Sequence, residues 1–470
     1  MGNLLESLGT AGNALDAYQK ALDVVQNNIT NANTPGFASQ SLNLEPLPFD
    51  LSGGLVGGVA ARGLISARDE FADTAVQQQL QTLGKYQAQA QGTGTLSNYF
   101  DATGNSGVPA DLNQLLQSFS AWSVTPNSSV AQQAVLNAAG SLATGVNQLA
   151  GSLTQTAQQT QGQIASNVQQ INQLTTQIQQ FNIQRDRSAT TDPSLDAQVH
   201  TALEQLSQLV NFSTLTQADG TVTVVLSGGS PLVIGESQFN LTAVAQVPAG
   251  ATVPTSSIQD ASGNDITSQI TGGQLAGLLD VHNRVLGSLL GDATQAGSVN
   301  IFAKSIADTV NTILQSGTVS QQAGAANGTA LFTYANAGLA AATLAVNPAI
   351  TTATLAPVDA AGNANGNALQ LASLANSAAN GGINGQTFGD FFSGLMSAVG
   401  TENSVATANQ QTQQQVTDQT KSQRDQISAV SLDQQALLME QFQNSYQAAA
   451  RMVNVIDNMA QTTMNMLPQQ

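Results

Sequence analysis

Two heptad repeats, one near each end of the 470-residue chain, constrain its fold more than any other feature. Leu4, Leu8, Ala11, Leu15, Tyr18, Leu22, Val25 and Ile29 follow one another at alternating steps of four and three. Met439, Phe442, Tyr446, Ala449, Val453, Ile456, Ala460, Thr463 and Leu467 do the same at the far end, and Leu438, Met452, Met459 and Met466 widen that stripe. An apolar line that recurs every 3.5 residues runs along one side of an α-helix and needs a partner to cover it. Ser431-Leu432-Asp433-Gln434 matches a capping box and opens the second helix. The two end helices are therefore expected to pair in a coiled coil, with everything else inserted between them.

The interior continues the helical theme. Val135, Ala139, Leu142, Val146, Leu149 and Leu153 keep a heptad, and Ile164, Val168, Ile171, Leu174, Ile178 and Phe181 resume it. Residues 128–183 thus predict a rod of roughly 80 Å at 1.5 Å per residue. After the Asp192-Pro193 break, Leu195, Val199, Leu203, Leu206 and Val210 mark a shorter helix. The period then falls to two: Asp219-Gly220 signals a hairpin, followed by the alternating Thr221–Val224 and the run Pro231–Ile234. Helix signals return over 275–290 and 301–314. A stretch rich in Gly, Ala and Asn over 319–385, with short strand candidates at 331–334 and 343–346, reads as the second half of the β region, and helix resumes from 388. The expected fold is mainly α with an inserted β region, elongated and discontinuous. Residues 1–45 and 429–470 make a terminal coiled-coil domain; 46–212, 269–318 and 386–428 a helical bundle; 213–268 and 319–385 a small β-rich outer domain.

Composition removes several functions. Eleven Lys and Arg against 29 Asp and Glu give a net charge of −18, so the clustered cations that bind nucleic acid or an anionic membrane surface are missing. No apolar run approaches the 18 or so residues of a transmembrane helix. Cysteine is absent and the only histidines are His200 and His282, neither in a metal-binding spacing. The cluster Gly53-Gly54 with Gly57-Gly58 has no following Gly-Lys-Ser/Thr, so it reads as a turn and not a phosphate loop. No catalytic, metal-ligating or cofactor-binding residues are expected, and the chain reads as a structural protein, not an enzyme. Glu6 and Asp16 interrupt what would have to be the apolar core of a Sec signal, so a surface protein of this kind is expected to leave the cell by another route.

The most specific local pattern closes the first helix: Asn27-Asn28-Ile29-Thr30-Asn31-Ala32-Asn33-Thr34-Pro35-Gly36-Phe37. Asparagine side chains bond to nearby backbone and favour helix exits, and Thr-Pro-Gly imposes an extended residue, a fixed φ and a turn. An ordinary helix stop does not need four asparagines at this spacing. Here the chain resembles the bacterial flagellar axial proteins, and the stretch from Val430 through Phe442-Gln443-Asn444-Ser445-Tyr446 to Arg451 is similar to their closing motif. The Ile164–Phe181 helix, the hairpin after the 195–210 helix and Gly272-Gly273-Gln274-Leu275-Ala276-Gly277-Leu278-Leu279 resemble the hook-associated protein 1 family within that group. Departures are Phe37 where Tyr is usual, no basic residue in Ala38-Ser39-Gln40, and no Asp-x-Arg-Asp pattern around Leu195–His200.

The resemblance implies a junction protein at the distal end of the hook that connects hook and filament. It implies a homo-oligomeric ring touching the hook protein and a second junction protein (FlgL-like), an export chaperone (FlgN-like) and export through the flagellar type III apparatus. The assembly interface is expected on Leu4, Leu8, Leu15, Leu22, Val25 and Ile29 of one end helix and on Leu438, Phe442, Tyr446, Met452, Val453, Ile456, Met459 and Leu467 of the other. Two alternatives stand beside this reading: a hook or rod subunit, and an axial protein with an adhesive outer domain.

Overall fold

The computed structural model describes residues 2–48, 57–100, 106–187, 192–217, 219–247, 254–292, 295–379 and 381–465. Gly53, Gly54, Met466 and Leu467 lie outside the described residues. In chain order the elements are α1 (Gly2–Asn31), the hairpin β1 (Gln40–Pro46) and β2 (Val59–Ser66), then α2 (Glu70–Ser97), α3 (Gly107–Val124), α4 (Ser129–Asp186) and α5 (Pro193–Leu209). The antiparallel sheet β3 (Phe212–Thr216), β4 (Val222–Leu226), β5 (Pro231–Ile234), β6 (Ser237–Gln238) follows, its strands adjacent in sequence order, and then the separate hairpin β7 (Thr242–Gln246) and β8 (Thr255–Gln259). Next comes α6 (Gly273–Leu279), running through a π-helical turn (Asp280–Leu286) into α7 (Gly287–Leu290), and then α8 (Ser298–Ser316). The chain ends through β9 (Phe332–Thr333), α9 (Ala340–Thr343), β10 (Ala345–Val346), α10 (Gly366–Ser373), α11 (Phe388–Ser428) and α12 (Leu432–Asn465). No described helix is long and apolar enough to cross a membrane.

The spine is α4, 58 residues long, which makes it about 87 Å at 1.5 Å per residue. Ser128 caps it by accepting the Ala131 N–H. Its apolar positions recur closely enough to four and three that one stripe stays buried over both halves, yet the halves serve different cores. Val135 through Ala157 pack with Phe119 and Trp122 of α3, Phe302 of α8 and Phe388 and Phe392 of α11. Ile164 through Ile178 pack with Val199, Leu203 and Leu206 of α5, Val224 and Leu232 of the sheet, and Leu275 of α6.

This division corrects one expectation. Residues 319–385 do not join the β region of 213–268: β9 and β10 pair only with each other, and Leu331, Phe332, Leu344, Leu355 and Leu371 belong to the core around α3, α8 and the first half of α4. Their apolar side chains arrive in isolated turns without alternation, so each caps a piece of the helical surface and none extends a sheet. The β1–β2 hairpin was not anticipated either. Its strands are exposed along much of their length, which blurs the alternation that marks a half-buried strand.

At the centre α6 crosses α2 at backbone distance. A Cβ on Gly277 would lie 2.3 Å from the Lys85 carbonyl oxygen and 2.7 Å from the Ala88 Cβ, which explains a glycine inside this short helix. Gly277→Val is expected to destabilise the chain by about 1–3 kcal/mol through overpacking. Gly140→Ala on α4, where nothing lies within 4 Å, is expected to stabilise by about 0.5–1 kcal/mol. Thermal unfolding of the two variants is therefore expected to shift in opposite directions; equal shifts would show that the crossing is not tight.

Candidate functional site

The two terminal helices meet. Tyr18 of α1 lies against Phe442 of α12 with ring centroids 6.5 Å apart, and Asn28 donates to Gln435 Oε1 at 3.0 Å, so the pair is antiparallel. The face of α1 that turns inward keeps Ala11, Tyr18 and Val25 of the expected line and departs from it at the other positions. Ala11, Ala17, Ala21, Val25 and Asn28 are buried, whereas Leu4, Leu8, Leu15 and Leu22 are half-buried and Ile29 is 36% exposed. Small alanines let the two backbones approach, and Asn28 rotates the helix so that its amide faces inward. On α12, Gln435, Ala449 and Ile456 are buried, Leu438, Phe442, Tyr446 and Val453 are half-buried, and Met452 and Met459 remain 59% and 51% exposed.

The asparagine-rich motif builds the joint between this pair and the bundle. Asn28, fully buried, donates from Nδ2 to the Gln40 carbonyl at 2.7 Å while its Oδ1 accepts the Gln40 N–H at 2.9 Å. One side chain thereby ties α1, the start of β1 and α12. Asn31 Nδ2 returns to the Asn27 carbonyl at 3.0 Å, and Thr34 Oγ1 donates to Asn31 Oδ1 at 3.1 Å, closing the helix exit. Asn33 is exposed, and Phe37 is half-buried. The Pro35 carbonyl accepts from Thr201 Oγ1 of α5 at 3.0 Å. Gly36 has φ +72, and a Cβ there would lie 2.4 Å from Thr201 Oγ1 and 2.5 Å from the Ala197 carbonyl, so only glycine fits both the conformation and the space.

Beneath this loop lies a network of charges. Arg68 donates to the Gly36 carbonyl at 2.5 Å and pairs with Asp73 and Asp196, each at 2.8 Å. Arg185, at the end of α4, reaches Asp196 at 3.6 Å. His200 Nδ1 lies 3.2 Å from Asp73 Oδ2, an ion-pair distance without hydrogen-bond alignment. Arg424 of α11 pairs with Glu204 at 3.1 Å, and Lys421 reaches the same carboxylate at 2.9 Å. The Ser428 carbonyl accepts the Ser39 N–H at 2.9 Å, and its hydroxyl accepts the Asp69 N–H at 3.3 Å, so the exits of α1 and α11 and the entry to α2 are fastened together. Every carboxylate of the cluster faces a cation of the same chain, and among the described residues no group of His and carboxylates has metal-binding geometry. The arrangement holds elements in place.

None of these charged residues was expected to cluster. His200 is half-buried inside the network and His282 is buried in the π-helical turn. The available signal was Asp196, His200 and Glu204 at successive steps of four, a polar stripe beside the apolar stripe of α5.

Burial raises the Asp73 carboxyl, but His200 and Arg68 outweigh it and hold it below its ordinary value of 3.8. Burial likewise raises Glu204, and Lys421 and Arg424 bring it below 4.5. A carboxyl depressed in the folded state favours folding above its ordinary value and loses that contribution as pH falls through the depressed one. The joint is therefore expected to keep full stability above about pH 5 and to weaken steadily below about pH 4. Asp73→Asn is expected to flatten this acid limb in thermal unfolding followed against pH, and an unchanged limb would remove Asp73 from the account.

Comparison with known proteins agrees with this architecture. A family profile described as the flagellar hook-associated protein FlgK helical domain matches residues 93–332, and one described as flagella basal body rod protein matches residues 8–37. Flagellar hook-associated protein 1 of Bacillus subtilis is 26% identical over 48% of this chain and 48% of its own length. Its counterpart in Salmonella typhimurium is 29% identical over 59% of this chain and 51% of its own. The chain thus spans about half the length of the curated relatives it matches. The structure of the flagellar hook junction protein FlgK from Burkholderia pseudomallei superposes with a TM-score of 0.63, covering 74% of this chain and 99% of that one at 16% identity, a likeness of fold. With the helical-domain profile spanning half of its residues, the chain belongs to the FlgK family of flagellar hook-associated proteins.

Proposed function

We propose that this chain is a structural junction subunit of the bacterial flagellum, assembling as a ring at the distal end of the hook and carrying the filament. The observation that supports the reading is the hook-associated helical domain over residues 93–332, built around one long helix. In this reading α1 and α12 form the inner layer, and their unburied apolar positions make the contacts with neighbours. These are Leu4, Leu8, Leu15, Leu22, Ile29, Leu438, Phe442, Tyr446, Met452, Val453 and Met459; Leu467 belongs to the same stripe in the sequence, and Val25 and Ile456 hold the pair together from within. The hook protein lies below the ring and a second junction protein (FlgL-like) above it. Before export α12 has no neighbour to cover Met452, Val455 and Met459, each more than half exposed, and a FlgN-like chaperone would shield that face.

A second reading is a hook or rod subunit, favoured by the rod-protein match over residues 8–37. Electron microscopy of cells lacking the gene separates the two. Complete hooks without filaments are expected from the junction reading. Short or missing hooks would favour the rod or hook subunit, and intact filaments on intact hooks would overturn both.

A further inference from the structure

The scarcity of positive charge points to one specific contact between copies. A chain with 11 Lys and Arg and a net charge of −18 repels its own copies unless its free cations meet carboxylates across the contact. Eight of the 11 already pair with a carboxylate of the same chain. Among the described residues Lys85, Arg187 and Arg451 form no ion pair, and the charge of Lys85 already acts on Asp280. Arg451 is exposed on α12 beside Val455, which is 55% exposed, and next to Met452, which borders the groove between α1 and α12 yet stays 59% exposed, with Met459 two turns further on. It is the free cation that borders an uncovered apolar helix face.

A surface of matching character lies on the other side of the terminal pair. A groove of about 790 Å³ runs between the outer face of α1, the Pro35–Phe37 loop, the second half of α4 and the start of α5. Val24, Phe37, Leu64 and Phe181 give it apolar walls, and Asp23 and Asp192 contribute carboxylates. Asp192 caps α5 through the Ser194 N–H at 2.8 Å; Asp23 is exposed and has no ion-pair partner among the described residues. An apolar helix face flanked by a guanidinium is what such an acid-bearing groove accepts.

We propose that α12 of one copy docks in this groove of the next copy, with Arg451 set between Asp23 and Asp192. The two surfaces are different patches of the same chain, so the contact is heterologous and propagates around a ring or helix instead of closing at two. The proposal rests on the ring reading given above and adds the partner surfaces and the charge pair that select them.

The chain contains no cysteine, which permits a direct test. Within one chain Tyr18 is level with Phe442 and Asn28 with Gln435, which places Arg451 about 12 residues, roughly 18 Å, along the pair from Asp23. A disulfide needs Cα atoms within about 7 Å, so a bond between these two positions can form only between copies. The full chain carrying Asp23→Cys and Arg451→Cys is expressed in place of the natural one, and isolated flagella are oxidised and run without reductant. A ladder of covalent multimers that requires both cysteines is expected. Monomer alone, from flagella that contain the protein, overturns the proposal. Charge exchange gives an independent reading that keeps the exposed positions folded. Arg451→Glu or Asp23→Lys alone is expected to lower the fraction of hooks bearing filaments by about tenfold or more, and the double exchange to restore it. Singles without effect, or a double without recovery, overturn it as well; in the latter case the groove holds some other partner. Absence of the natural protein from the hook–filament boundary in unmodified cells would instead be a failure of the ring reading.

Discussion

The structure depends on an asparagine side chain standing in for a peptide group. Asn28 grips the N–H and C=O of Gln40, and four other asparagines repeat the arrangement on one residue each: Asn172 on Leu241, Asn182 on Val222, Asn283 on Ser256 and Asn311 on Phe332, all with both contacts at 2.7–2.9 Å. The extended segments of this chain are short, and most have a neighbouring strand on one side only, so the backbone groups on their other side would otherwise be buried unpaired. An unsatisfied group of that kind costs about 1–3 kcal/mol, more than the net gain of about 0.5–1.5 kcal/mol from making the bond. Each clip removes two such groups at the expense of a few tenths of a kcal/mol in helix propensity.

The terminal joint follows from the first of these clips. Once Asn28 faces inward, α1 has a fixed rotation, its alanines meet α12, and Ile29 is turned toward solvent. The same clip sets where β1 begins, which brings Gly36 against α5 and its carbonyl onto Arg68. The charge network then fixes α2, α5 and α11 around that loop. Its net contribution is modest because burying ions costs nearly what their attraction returns, so its role is to select one arrangement of elements that polar and small apolar contacts alone would hold loosely.

Much of this was legible in the sequence, for identifiable reasons. The long rod of α4, the α5 helix, the Asp219-Gly220 hairpin and the pairing of the ends follow from periodicities sustained over several turns. The axial motif was visible as a cluster of asparagines, yet its action was not, because Gln40 and Gln435 are distant partners. The heptad on α1 locates Ala11, Tyr18 and Val25 on the seam, whereas at Leu22 and Ile29 packing chose Ala21 and Asn28, each one step away. The charge network draws residues from four helices and a loop far apart in sequence, and Asp196, His200 and Glu204 alone left a trace of it. Residues 319–385 were misassigned because isolated apolar turns carry no period.

Native-state amide exchange tests the central claim most directly. If the asparagine clips carry the extended segments, the N–H groups of Gln40, Leu241, Val222, Ser256 and Phe332 exchange slowly, with opening free energies close to those of the helices that hold them. Exchange of these five amides as fast as that of the exposed turn amide of Gly263 would show that the clips are incidental and that the segments are held by something else.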